Sequence, residues 1–105
     1  PNFVQMSSVH CVSGERLIQF ATEHLVTEVL IHPQVHFLKL TFKSNQFYLL
    51  TIAGEHFAAM YEEMLASFTK HRHILHAGYT FAGQGSWILQ VGNLKIKNVK
   101  ILKKS

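Results

Sequence analysis

The length, composition and charge of the chain already exclude several classes of protein. Its 105 residues suit one domain and leave no room for two, and hydrophobic residues, 48% of the total, can supply a buried core. The single cysteine, Cys11, cannot form an intramolecular disulfide, which fits the cytoplasm or another reducing compartment. No apolar run reaches the roughly 18 residues of a membrane-spanning helix, so we expect no membrane span.

The positive charge is concentrated towards the C-terminal end. Ten basic and six acidic residues give a formal net charge of +4. Five lysines lie in a predicted basic strand and tail over residues 94–105: Lys95, Lys97, Lys100, Lys103 and Lys104. This basic patch could bind nucleic acid or an acidic partner, or it could simply protect an exposed strand from unwanted pairing.

The first predicted elements are a short strand over residues 3–9 and a long helix. Ser13 is a typical helix N-cap, and the helix should end near His32 because Pro33 disfavours helical geometry in the residue before it. Apolar residues recur in this segment at mostly three- and four-residue steps: Leu17, Ile18, Ala21, Leu25 and Val29.

Six further elements follow along the chain. Residues 35–42 and 47–52 are predicted strands, and residues 55–69 are predicted to form the second helix. That helix has the clearest apolar stripe in the sequence: Phe57, Tyr61, Met64, Leu65 and Phe68. Three more strands are expected over residues 74–81, 87–91 and 94–102.

The resulting order, β-α-β-β-α-β-β-β, predicts an α+β fold. Two amphipathic helices would pack on one face of a mixed sheet of four or five strands. The whole chain, residues 1–105, would form this single domain.

The eight histidines do not predict a metal site. On a strand, His71 and His73 would point to one face and His76 to the other, whereas a metal needs three or four converging ligands. Lys70 and Arg72 would also repel a cation there. No phosphate-binding or dinucleotide motif is present, so we expect neither a metal nor a cofactor.

Pro1 has the most distinctive chemistry of any residue in the chain. A free N-terminal proline is a secondary amine, and burial lowers its pKa from the roughly 7.7–8 of an ordinary α-amino group. Such an amine can act as a general base next to a carbonyl group. One reading is therefore an enzyme in which Pro1 is the catalytic base and Tyr79 and Phe81 line the substrate pocket.

The first nine residues resemble the start of the macrophage migration inhibitory factor family of tautomerases. They read Pro1-Asn2-Phe3-Val4-Gln5-Met6-Ser7-Ser8-Val9, and the predicted element order is similar as well. The resemblance implies a homotrimer with a pocket at each subunit interface and Pro1 as the proton-transferring base. Where that family has a lysine after its first helix, this chain has Ile31-His32-Pro33.

Other scaffolds share parts of the element order. From Ser13 onward it resembles roadblock-type and profilin-like proteins, and the first six elements follow a ferredoxin-like order. Roadblock-type and profilin-like scaffolds imply an interaction module that pairs sheets or helices and has no active site. We therefore predict an interaction or oligomerisation module without catalysis, self-associating as a dimer or trimer or binding another protein. A tautomerase-like enzyme and a nucleic-acid-binding protein are the alternatives.

Overall fold

A computed structural model of the chain describes residues 13–71 and 78–100. These residues form two helices and six strands, which confirms the predicted α+β class. The predicted strand at residues 3–9 lies outside the described ranges. In chain order the elements are α1 (Gly14–Glu23), β1 (Val26–His32), β2 (Phe37–Phe42), β3 (Phe47–Thr51), α2 (Gly54–His71), β4 (Gly78–Gly83), β5 (Ser86–Val91) and β6 (Leu94–Val99).

All six strands belong to one mixed sheet, which has one strand more than the largest sheet predicted. The strand order is β3-β2-β1-β6-β5-β4. β1 and β6 run parallel in the centre, and every other neighbouring pair is antiparallel. The sheet thus consists of two antiparallel halves, β1–β3 and β4–β6, joined along β1 and β6.

Both helices pack on the same face of the sheet. α1 buries Leu17, Ile18 and Ala21, and these side chains join the buried residues of α2 and of the strands in a single core cluster. The α2 residues of that cluster are Phe57, Met60, Met64 and Phe68. From the strands it includes Val29, Ile31, Leu38, Leu40, Leu50, Leu89 and Ile96. The predicted packing of two helices on one sheet face is therefore confirmed.

The two helices approach each other closely at Gly14. A Cβ atom added to this residue would overlap the backbone nitrogen and Cα of Met64 and lie against the carbonyl oxygen of Met60. Glycine is thus required at the start of α1 because the backbone of α2 occupies the space that a side chain would need.

The predicted end of the first helix near His32 is wrong. α1 begins as predicted, since the Ser13 side chain accepts a hydrogen bond from the Arg16 backbone N–H (3.1 Å), but it ends at Glu23. Leu25 then adopts a left-handed conformation (φ 57°) and is 63% exposed instead of contributing to the helical stripe. The following residues form β1, in which Val29 and Ile31 alternate with less buried neighbours as a half-buried strand requires. Helical spacing at Leu25 and Val29 was therefore coincidental.

Other boundaries differ by a few residues. β2 begins at Phe37, because His36 adopts a left-handed turn conformation (φ 54°). β4 extends to Gly83, two residues beyond the predicted end of this strand at residue 81, and the turn is confined to Gln84 and Gly85.

Candidate functional site

The structure brings Tyr79 and Phe81, the two predicted pocket residues, into one aromatic cluster. Both lie on β4, and the centroid of each ring is 5.1 Å from that of Trp87. Phe68 of α2 also contacts Tyr79, at 5.9 Å between ring centroids. Tyr79 and Phe81 remain about half exposed. Pro1, which was predicted to act beside them, lies outside the described residues.

The described lysines of the basic patch point to two different places. Lys95 and Lys97 alternate with buried Ile96 on β6, so both side chains lie on the sheet face opposite the helices. Lys100 follows β6, and its Nζ donates a hydrogen bond to the carbonyl oxygen of Gln84 in the β4–β5 turn (3.0 Å). Lys103 and Lys104 lie outside the described ranges.

The sheet face opposite the helices is not covered by any helix or strand of the described residues. We call it the open face and define it by eight of the outward-facing residues on four neighbouring strands. They are Phe47 and Leu49 on β3, Phe37 and Lys39 on β2, Glu28 and Leu30 on β1, and Lys95 and Lys97 on β6. Phe47 is 52% exposed and Leu49 is 49% exposed.

Apolar and basic side chains alternate along one cross-strand row of the open face. In the strand register Leu49 lies opposite Lys39, and Lys39 lies opposite Leu30. Leu30 in turn lies opposite Lys97 in the parallel pair. Because neighbouring strands are about 4.8 Å apart, Lys39 and Lys97 are separated by about 10 Å with an apolar residue between them.

Two of the lysines already have partners on this face. The Nζ atom of Lys97 lies 3.0 Å from a carboxylate oxygen of Glu28, and both side chains are partly exposed. An exposed pair of this kind contributes about 0–1 kcal/mol. The Nζ atom of Lys39 lies 4.6 Å from the centroid of the Phe47 ring, which is cation–π geometry.

Charge is segregated between the two faces of the domain. Five of the six glutamates lie on the helices: Glu15, Glu23, Glu55, Glu62 and Glu63. On the described strands, Glu28 is the one acidic residue and shares the open face with three lysines, Lys39, Lys95 and Lys97. The open face is therefore the positive side of the described structure, and the helical face is the negative side.

A groove of about 440 Å³ lies between α2 and the end of β6. Its aromatic wall is formed by His36, Phe57 and Tyr61. The His36 and Phe57 rings are tilted with their centroids 5.3 Å apart, and the Phe57 and Tyr61 rings are stacked with their centroids 6.4 Å apart. Burial raises the pKa of Tyr61 above its usual value, and hydrogen bonding to the Lys100 backbone acts in the opposite direction.

Within residues 13–71 and 78–100, no three His, Cys, Asp or Glu side chains are placed to bind a metal ion.

Sequence reasoning did not identify the open face. Alternation in Phe37-Leu38-Lys39-Leu40 and in Lys95-Ile96-Lys97 marks which side chains share a face, and that signal was available. The missing information was the position of the helices, which decides which face they cover.

Comparison with known proteins places the chain in a family. Residues 46–105 match the family described as Microtubule-associated protein 1B N-terminal. The chain is also 49% identical over 83 residues to Microtubule-associated protein futsch of Drosophila melanogaster, a match that covers 79% of this chain. It spans 1% of that relative's length. The chain belongs to the microtubule-associated protein 1B N-terminal family. No solved structure matches it.

The resemblance to the tautomerase family is therefore wrong. It depended on nine residues and on element order, whereas the family match covers residues 46–105. The described fold also departs from the assumed order, because three strands, β1–β3, separate the two helices where two were predicted. Among the described residues, no helix is both long and apolar enough to cross a membrane.

Proposed function

We propose that this chain is a protein-interaction module of a microtubule-associated protein, that it has no catalysis of its own, and that the open face is its docking surface for the microtubule. Membership of the microtubule-associated protein 1B N-terminal family and the name of the relative futsch support the choice of partner. A cytoplasmic location goes with this proposal, because that is where such a partner lies.

The observation that carries the proposal is the exposure of Phe47 and Leu49 on a face that the described helices leave uncovered. Contiguous apolar side chains on a surface typically mark a contact with another macromolecule. Phe37 on β2 and Leu30 on β1 are also partly exposed on this face, so apolar side chains lie on three of its strands, with Lys39 between Leu49 and Leu30. Fully burying a side chain of this size contributes about 1.5–3 kcal/mol, so covering a few half-exposed ones gives measurable affinity.

Co-sedimentation with stabilised microtubules tests the proposal. Leu49→Glu places a charge beside Phe47 in the apolar area and should weaken binding by about tenfold or more. Val35→Glu is the matched control, because Val35 is also an exposed apolar residue (62%) but lies in the β1–β2 turn. Both variants should keep the circular dichroism of the parent chain. Equal binding by the two variants, or failure of the parent chain to sediment with microtubules, would contradict the proposal.

We also propose self-association, through pairing of β4 with β4 of a second copy. β4 is the outermost strand of the described sheet, and it contains neither a charged residue nor proline. Edge strands that stay unpaired usually carry such residues. Phe81→Lys should therefore convert a dimer to a monomer, whereas Phe47→Lys on the opposite edge strand should not. Sedimentation equilibrium measures both, and a monomeric parent chain at about 100 µM would exclude this pairing.

A further inference from the structure

We propose that the partner region recognised by the open face is an acidic protein segment that carries apolar side chains between its carboxylates. This inference depends on the open face being the docking surface, as proposed above. It adds the chemical class of the partner, which follows from the charges and the register of the face.

The first argument is charge complementarity. Lys39, Lys95 and Lys97 lie on the open face against one glutamate, and Lys95 is exposed. Lys95 makes no ion pair within residues 13–71 and 78–100. A face with excess positive charge attracts a partner of opposite sign, and it does so most strongly at low ionic strength.

The second argument is the alternation of apolar and basic side chains. A purely electrostatic surface for a polyanion would not need the apolar residues that separate the lysines. Here Leu30 lies between Lys39 and Lys97 in the register, and Leu49 continues the row on the other side of Lys39. The complementary partner presents carboxylates about 10 Å apart with an apolar side chain between them, since each strand adds about 4.8 Å. Nucleic acid has the negative charge but not this alternation.

Glu28 restrains this surface. Its carboxylate lies 3.0 Å from the Nζ of Lys97 and stands opposite Lys95 in the parallel pair. An acidic partner must compete with Glu28 for Lys97, and it is repelled by the Glu28 carboxylate on the strand beside Lys95. Removing the charge of Glu28 should therefore strengthen binding, a result that a merely structural role for this exposed ion pair would not produce.

The negative charge of the helical face explains why an acidic segment would bind the open face and not the helices. Five glutamates lie on α1 and α2, so an acidic segment is repelled from that side of the domain. Lys70, an exposed lysine near the end of α2, offers a control position of the same charge on the helical side.

The experiment measures binding of the full chain to three probes by fluorescence anisotropy in low and high salt. The probes are poly-L-glutamate, a copolymer of glutamate and tyrosine, and polyuridylate RNA of matched length. We expect the copolymer to bind most tightly, because it alone combines carboxylates with apolar side chains. Affinity for the copolymer should fall as salt rises.

Four variants test the assigned residues with the copolymer. Lys95→Gln and Lys39→Gln should each weaken binding by about threefold, and Lys70→Gln should leave it unchanged. Glu28→Gln should strengthen binding by about twofold to threefold. Equal losses for Lys70→Gln and Lys95→Gln, or weaker binding by Glu28→Gln, would overturn the assignment.

The remaining outcomes separate this inference from the proposed docking surface. If Leu49→Glu abolishes microtubule binding while the lysine variants bind the copolymer normally, the open face remains the proposed docking surface. The inference that its partner is an acidic segment is then excluded. Tighter binding to RNA than to the copolymer would overturn the inference in favour of nucleic acid. Hydroxyl-radical footprinting of the monomeric chain is the last check, because protection of Phe47 and Leu49 there would show that the face is already covered. Protection that appears only at high concentration would assign the face to a second copy.

Discussion

The side chain of Tyr61 ties helix α2 to the residue that follows the central strand β6. Its hydroxyl donates a hydrogen bond to the carbonyl oxygen of Lys100 (2.7 Å) and accepts one from the backbone N–H of the same residue. The phenol thus satisfies both the N–H and the C=O of Lys100. This residue lies beyond the end of β6, where no neighbouring strand of the described sheet pairs with it.

Replacing Tyr61 with phenylalanine should lower the free energy of unfolding by about 1–2 kcal/mol, because two hydrogen bonds are lost while the ring is kept. Urea denaturation followed by circular dichroism measures this change. Tyr79→Phe is the matched control, since the Tyr79 hydroxyl makes no hydrogen bond within residues 13–71 and 78–100, and it should change stability by less than about 0.5 kcal/mol. Similar losses in the two variants would contradict the role of the Tyr61–Lys100 contact.

The raised pKa of Tyr61 predicts a dependence of stability on alkaline pH. Burial raises this pKa in the folded chain above the value of about 10 in the unfolded chain. The folded state therefore holds the phenol proton more tightly, and this contribution is fully present below about pH 10. It is lost as the pH rises through the folded-state pKa. Between pH 9 and 11.5 the parent chain should lose more stability than Tyr61→Phe, and parallel profiles for the two proteins would contradict this.

Gly14→Ala should destabilise the domain by about 3 kcal/mol or more, even though alanine is normally the better helix former. The new methyl group would overlap the backbone of Met64, which cannot move away as a flexible side chain could. Gly78→Ala tests the same substitution where a Cβ atom meets nothing within 4 Å, and it should be close to neutral. Thermal unfolding of both variants gives the comparison, and a stable Gly14→Ala protein would show that α1 and α2 do not approach so closely.

Leu25→Asn should stabilise the domain by about 1 kcal/mol. Leu25 adopts a left-handed backbone conformation that costs a leucine about 1–2 kcal/mol and that asparagine tolerates. Its exposed side chain contributes little burial in return. Leu25→Ile should destabilise instead, because a branched Cβ fits this conformation less well than leucine does. Chemical denaturation of the two variants measures the sign of each change in the free energy of unfolding, and the same sign for both would contradict this.

Asn98→Asp should cost about 1–3 kcal/mol at pH 7. The Nδ2 atom of Asn98 donates to the carbonyl oxygen of Ile31 on β1 (2.6 Å), and a carboxylate in its place would be repelled. Aspartate keeps the left-handed backbone (φ 65°) and can still accept from Ser86 Oγ. Because the repulsion raises the folded-state pKa of this aspartate above the value of about 4 in the unfolded chain, stability should recover as the pH falls towards about 4, and an unchanged deficit below that pH would contradict the assignment.

Sequence reasoning succeeded where a single segment carries its own signal. The stripe of Phe57, Met64 and Phe68 has the helical period, and α2 follows it closely. It failed after Ala21, where Leu25 continues the helical spacing although α1 has already ended at Glu23 and β1 begins at Val26. The spacing of apolar residues describes a pattern on one segment and does not record a left-handed residue that ends a helix.

The candidate site was harder to predict, because it depends on contacts between distant segments. Lys39 and Lys97 are 58 positions apart in the sequence, and Leu30 between them is brought to both by the pairing of β1 with β2 and β6. The sequence marked a basic strip of five lysines. The described part of the strip divides instead between the open face, where Lys95 and Lys97 lie, and the β4–β5 turn, where the Lys100 Nζ donates to the carbonyl oxygen of Gln84.

The place of β6 in the middle of the sheet constrains how the chain can be synthesised and divided. As the polypeptide leaves the ribosome, β1–β3 and the β4–β5 hairpin emerge first as two unjoined pieces, and β6 alone bridges them. Nascent chains that stop before Leu94 should therefore remain open to proteases and chaperones. A fragment cut to residues 46–105, the span of the family match, would contain β3 but not β2 and β1, the two strands that connect β3 to the rest of the sheet.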